Sequence, residues 1–158
     1  MNGEIPINPG DLPIDGINLE ESVVYTGELR RATISPKLDR NGNVYCAVQL
    51  EVADGDYEGM NVAMNYLPIP NPISEDAPKR DRIKAHNQAV SFGRFCRAFK
   101  IDGAMPAVKA GDSESYNRWQ DWVSQFYGRT GKFTVQNQEF PEGSGRMRSG
   151  VRDFVFDA

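Results

Sequence analysis

Hydrophobic and polar positions alternate most strictly over residues 44–52, where Val44, Cys46, Val48, Leu50 and Val52 are separated by Tyr45, Ala47, Gln49 and Glu51. A period of two sends successive side chains to opposite faces of a strand. This stretch therefore predicts a half-buried strand with Tyr45, Gln49 and Glu51 facing outward. Asn41-Gly42, just before it, supplies the two positive-φ positions of a tight hairpin turn. The β-branched and aromatic residues of 23–34, closed by Ser35-Pro36, predict the preceding strand. Asp54-Gly55-Asp56-Tyr57-Glu58-Gly59 predicts the next turn, and residues 60–67 a third strand in which Val62, Met64 and Tyr66 alternate with Asn61, Ala63 and Asn65. Pro68, Pro70, Pro72 and Pro78 exclude regular structure over 68–78 and predict a long loop, basic toward its end, over 68–84.

Beyond the prolines the period changes. Phe92, Phe95, Cys96 and Phe99 recur at i, i+3, i+4 and i+7, and Tyr116, Trp119, Val123 and Phe126 repeat the pattern behind an Asp112-Ser113 cap. Two helices separated by Gly103 and Pro106 follow, and the helical spacing of their aromatic rings assigns those rings to a core. Strand patterns return over 132–140 and 146–156, around a loop holding Pro141, Gly143 and Gly145. Five strands with a two-helix insertion between strands 3 and 4 match the element order of an OB-fold. That mainly β, Greek-key barrel commonly binds oligonucleotides on its strand 2 and 3 face. Residues 1–21, broken by Pro6, Pro9, Gly10, Pro13 and Gly16, predict an extended acidic arm, and residues 22–158 one OB-fold-like domain.

A chain of 158 residues buries roughly two thirds of its unfolded surface without disulfides or metals. Its apolar runs are too short to cross a bilayer, and its start lacks the basic and apolar segments of a signal peptide, so no membrane association and a cytoplasmic location are expected. Cys46 and Cys96 stand in apolar patterns outside any CxxC and read as small buried hydrophobes. The net charge of −4 conceals segregation. The first 29 residues hold Glu4, Asp11, Asp15, Glu20, Glu21 and Glu28 without a base, and without them the balance is +2. Over 79–100, Lys79, Arg80, Arg82, Lys84, Arg94, Arg97 and Lys100 face the single Asp81.

Catalytic machinery is not visible in the sequence. Gly128-Arg129-Thr130-Gly131-Lys132-Phe133 has two residues between its glycines where a phosphate loop needs four, and Phe follows the lysine. Asp54, Asp56 and Glu58 resemble the start of a calcium loop whose twelfth position here is Asn65, not glutamate. His86 is the only histidine, and no nucleophile elbow occurs. A noncatalytic protein without metal or cofactor is expected.

Binding is argued from the outward faces. Alternation places Phe133 and Val135 inward with Lys132, Thr134 and Gln136 outward. In the last strand it places Met147, Val151 and Val155 inward, leaving Arg146, Arg148 and Arg152 together outside. With Arg30 on the first strand and Asn61 and Asn65 on the third, these arginines and Lys132 are expected to track phosphates, while Tyr45 offers a stacking ring beside Gln49.

The run from Asn41-Gly42-Asn43-Val44-Tyr45 through Glu51-Val52-Ala53-Asp54-Gly55 to Tyr57-Glu58-Gly59 resembles the signature of a bacteriophage family. Phe92 to Lys100 resembles that family's Phe- and Arg-bearing helix, and Gly131-Lys132 the start of its fourth strand. The resemblance covers roughly 22–156. It implies an OB-fold protein that coats and protects single-stranded DNA in phage replication or recombination, alongside phage or host replication proteins. The alternative from a different class is a phage protein-interaction or virion-assembly module that docks a protein on the same barrel.

Overall fold

The computed structural model describes residues 6–13, 16–35, 43–71, 73–139 and 141–156. The elements run β1 (Tyr25–Ile34), β2 (Tyr45–Val52), β3 (Asn65–Pro68), α1 (Lys79–Ala98), α2 (Ser113–Ser124), β4 (Thr130–Glu139) and β5 (Met147–Val155), after a 3-10 turn over Pro9–Asp11. The fold is mainly β, and both helices lie between the third and fourth strands. The Asn41-Gly42 turn lies outside the described residues. The 54–59 turn is formed, with Gly55 and Gly59 at positive φ.

The strands make one antiparallel sheet in the order β3-β2-β1-β4-β5. Val44, Cys46, Val48, Leu50 and Val52 are all buried, while Tyr45, Gln49 and Glu51 are half-buried, which is the parity their alternation predicts. Phe133 and Val135 likewise face in, and Lys132 faces out.

Elsewhere strict alternation fails at three points, each between buried residues an odd number of positions apart. In β1, Leu29 pairs with Leu50 but Arg31 pairs with Gln49, so Arg30 is an extra residue and Ala32 returns to the core. In β5, Val135 pairs with Val151 and Thr134 with Asp153, leaving Arg152 unpaired. This bulge brings Phe154 inward, while Met147 is exposed and Val155 only half-buried, which corrects the predicted inward set. The third strand is shorter than predicted: β3 begins at Asn65, and only an isolated bridge joins Asn61 to Glu51. Val62 and Leu67 are both buried, so the face changes between them, and Met64 and Tyr66 end up exposed.

Beyond Glu28, β1 loses its β4 partner, and its open backbone groups are satisfied from elsewhere. The Leu29 N–H donates to the Arg129 carbonyl, and the Leu29 carbonyl accepts from the Gly128 N–H, both at 2.8 Å. The Ala32 carbonyl accepts from the Tyr127 hydroxyl and the Gln120 amide. At the far edges, the Ala63 N–H donates to the Ser149 carbonyl at 3.0 Å, linking the lead into β3 with β5. Leu19, assigned to the arm, is buried at this seam; its N–H donates to Ser149 Oγ and its carbonyl accepts from Asn137 Nδ2. The arm is thus pinned to β4 and β5 at its end, while described residues 6–13 and 16–18 are exposed.

The helices close the core. Phe92, Phe95, Phe99, Trp119 and Phe126 are buried, as their helical spacing predicts. Phe95 and Phe99 meet Phe154 of β5 with ring centroids 5.4 and 6.0 Å apart. The close approach of α1 to β4 requires Gly131, since a Cβ there would lie 2.7 Å from the Ala98 carbonyl oxygen. Cys46 is buried and Cys96 half-buried, both as free thiols.

Candidate nucleic-acid interface

Cross-strand pairing builds the outer face of β1, β2 and β3 as a series of rows. Glu28, Glu51 and Asn61 form one, Arg31 and Gln49 the next, then Thr33, Ala47 and Tyr66, and finally Tyr45 with Pro68. Directly opposed residues on one face lie close enough to present a joint surface. Tyr66, 56% exposed, occupies the row next to Tyr45.

The predicted site residues fall into separate groups. Arg30, Tyr45, Gln49 and Asn61 share this face, but Arg30 is ion-paired with Glu28 at 3.3 Å and Glu51 at 3.4 Å, which reduces its free charge. Arg31 beside it is exposed and has no ion pair among the described residues. Asn65 pairs with Val48 and so lies on the inward parity, half-buried, away from Tyr45. Lys132 lies in a different row, with Thr26 and Val155. Of the three arginines, Arg148 sits opposite Gln138, Arg152 occupies the bulge and Arg146 precedes the strand, so alternation does not set them in one line.

The stretch 79–84, expected in a loop, is the start of α1. Lys79, Arg80, Arg82 and Lys84 are exposed, and no ion pair joins them to an acid among the described residues. Pro78 at the N-cap offers no side-chain bond, and Asp81 is the sole acid of the first turn. Cations at the positive end of a helix are disfavoured and an anion is favoured, so this helix start is electrostatically unfinished. Below it runs a cleft of about 500 Å³ lined by Asn43, Ile73, Arg80, Asp81, Lys84 and Gln88. A groove of about 430 Å³ sharing Arg80 and Lys84 extends it to Pro68, the row partner of Tyr45. Pro68 is therefore shared between the groove's lining and the last of the tyrosine rows.

Tyr66, Arg31 and the α1 bases are absent from the sequence-derived set. The signal for Tyr66 was present: Val62 and Leu67 cannot both be buried in one unbroken strand, so the face had to change between them. Among the described residues no three His, Cys, Asp or Glu side chains gather to hold a metal, and no helix is long and apolar enough to cross a membrane. No known family model matches the chain, and no curated protein is significantly similar to it.

Proposed function

We propose that this protein binds single-stranded DNA without catalysis, along a path over the tyrosine rows of β1–β3 and into the groove beneath the first half of α1. The observation that carries this reading is the net cationic start of α1 over a groove that reaches Pro68, the row partner of Tyr45. Lysine and arginine neutralise backbone phosphates, and tyrosine rings stack on bases of any identity, so the combination suits a strand bound with little sequence preference. We read the sheet as an OB-fold barrel; the hydrogen bond from Ala63, in the lead into β3, to Ser149 of β5 supports this. The role then is the coating and protection of DNA during phage replication or recombination, in the cytoplasm of the host.

A second reading has its own support. Ile73, 44% exposed, lines the cleft and Ile83, 52% exposed, the groove that extends it, with Met64 and Val90 also exposed. Such apolar exposure suits a docked protein in a virion-assembly or interaction module. Fluorescence anisotropy of labelled single-stranded and duplex DNA at one low salt concentration separates the two. The DNA reading expects tighter binding to the single strand, and the protein-docking reading expects neither to bind.

A further inference from the structure

We propose a second phosphate-binding cleft at the opposite end of α1, which takes a phosphodiester group of the same DNA strand beyond the first groove; it rests on the single-stranded-DNA reading. The cleft, about 380 Å³, is lined by Arg97, Lys100, Lys132, Thr26, Thr130 and Phe156 among others, and no acid among the described residues lines it. Arg97, Lys100 and Lys132 have no ion pair among the described residues. Three cations share a cleft with two hydroxyl donors, and a phosphate's oxygens would relieve their mutual repulsion.

The way the cleft is made argues for design around an anion. α1 ends in a Schellman motif: the Ile101 N–H donates to the Cys96 carbonyl at 2.8 Å and the Lys100 N–H to the Arg97 carbonyl at 3.4 Å. The position after the cap takes the left-handed conformation and is usually glycine. Here it is Lys100, at φ 56°, the one non-glycine residue with positive φ among the described residues. The chain forgoes the glycine and keeps a cation, whose carbonyl accepts from Arg129. Phe156 packs against two guanidiniums, with Arg94 5.1 Å and Arg97 5.7 Å from its ring centroid, and Arg94 also donates to the Phe154 carbonyl. The helix dipole alone would account for Arg97 in the last turn. It does not account for Lys132, brought in by β4, or for a lysine in place of glycine.

Along α1, the first groove's Arg80 and Lys84 precede Arg97 by about 20–26 Å of helix. A strand of about 3 nucleotides is too short to bridge the two and occupies the first, longer site, whereas one of about 20 engages both. The test is the variant Arg97→Gln/Lys100→Gly, measured by anisotropy on both lengths over a salt series, with thermal melting as the fold control. Lys100→Gly relieves the left-handed position, so the fold is expected to be retained. The expected result is unchanged binding of the short strand. On the long strand the variant should bind several-fold more weakly, with a slope of log affinity against log salt shallower by about 0.7 for each phosphate no longer neutralised. Wild-type affinity and slope on the long strand overturn the second cleft alone. Wild type that binds neither length contradicts the DNA reading itself. Altered self-association with unchanged DNA affinity would assign the cleft to a carboxylate-bearing surface and also overturn the proposal.

Discussion

Asn65 shares a cross-strand row with Val48 while Tyr66 shares one with Ala47, so one step along β3 exchanges a half-buried amide for a ring 56% exposed. On the proposed path a base passing over β2 and β3 would meet Tyr66 and then Tyr45, whereas Asn65 is turned toward the core. Tyr66→Ala and Tyr45→Ala are each expected to cost about 1–3 kcal/mol of single-strand affinity with little change in melting temperature. Asn65→Ala should leave affinity unchanged. Anisotropy paired with melting curves checks this, and full affinity in Tyr66→Ala would remove the stacking rows from the binding path. The thiols make a separate prediction. Burial pushes Cys96 up to about 12 from 9.0, and burial followed by the neighbouring Cys96 raises Cys46 further. In the unfolded chain both ionise near 9.0, so the native state binds more protons above that pH. Their contribution to stability is complete below pH 9 and is lost as pH rises toward 12. Denaturant midpoints at pH 8, 9.5 and 10.5 should fall in that order, and iodoacetamide should modify neither thiol in the native protein at pH 8. The inward face of β2 was legible because its apolar alternation is unbroken, although Ala47 of the opposite parity is buried as well. The faces around Arg30, Asn65 and Arg152 were not, because each lies at a break in register, and a break reveals itself only where two core residues stand an odd distance apart.

At the scale of elements, the strands and helices follow the periodicities, but the N-terminal boundary of α1 does not. Residues 79–91 bury no side chain, so they carry no apolar stripe to mark them as helix, and the prolines before them suggested a longer loop. The helix forms nonetheless because its last two turns are anchored by Phe92, Phe95 and Ala98 and the rest extends from that nucleus. The result is a cationic rod over a groove, which a loop reading could not place. Replacing Lys79, Arg80 and Lys84 together by glutamine is expected to reduce the salt slope of single-strand binding by about 2, the change that follows from leaving three phosphates without a cation. Glutamine is a comparable helix former, so folding should survive. The triple glutamine variant of Arg146, Arg148 and Arg152 should change the slope less, because these residues are distributed along and ahead of a bulged strand. If the β5 variant loses more than the α1 variant, the strand's path has been assigned to the wrong wall.

Over the whole chain, charge is sorted: acids gather in the arm and the 54–59 turn, bases in α1. The sequence revealed this sorting; it could not reveal that Leu19 and Glu21 tie the arm's end to β4 and β5, since those contacts join residues more than a hundred positions apart. Deleting residues 1–18, which leaves Leu19 in its seat, is expected to raise DNA affinity at low salt and to have no effect at high salt if the arm's acids compete with phosphates for the basic surfaces. Unchanged affinity at low salt would leave the arm a role in recruiting another protein. The central claim, that phosphate neutralisation and stacking bind a single strand, is tested most directly by one titration. Anisotropy of the wild-type protein with labelled homopolymer and mixed-sequence single strands, from about 50 to 200 mM salt, should give affinities that fall linearly on logarithmic axes with similar slopes for both strands. A flat dependence, or no binding at the lowest salt, would contradict the account and leave the groove to a protein partner.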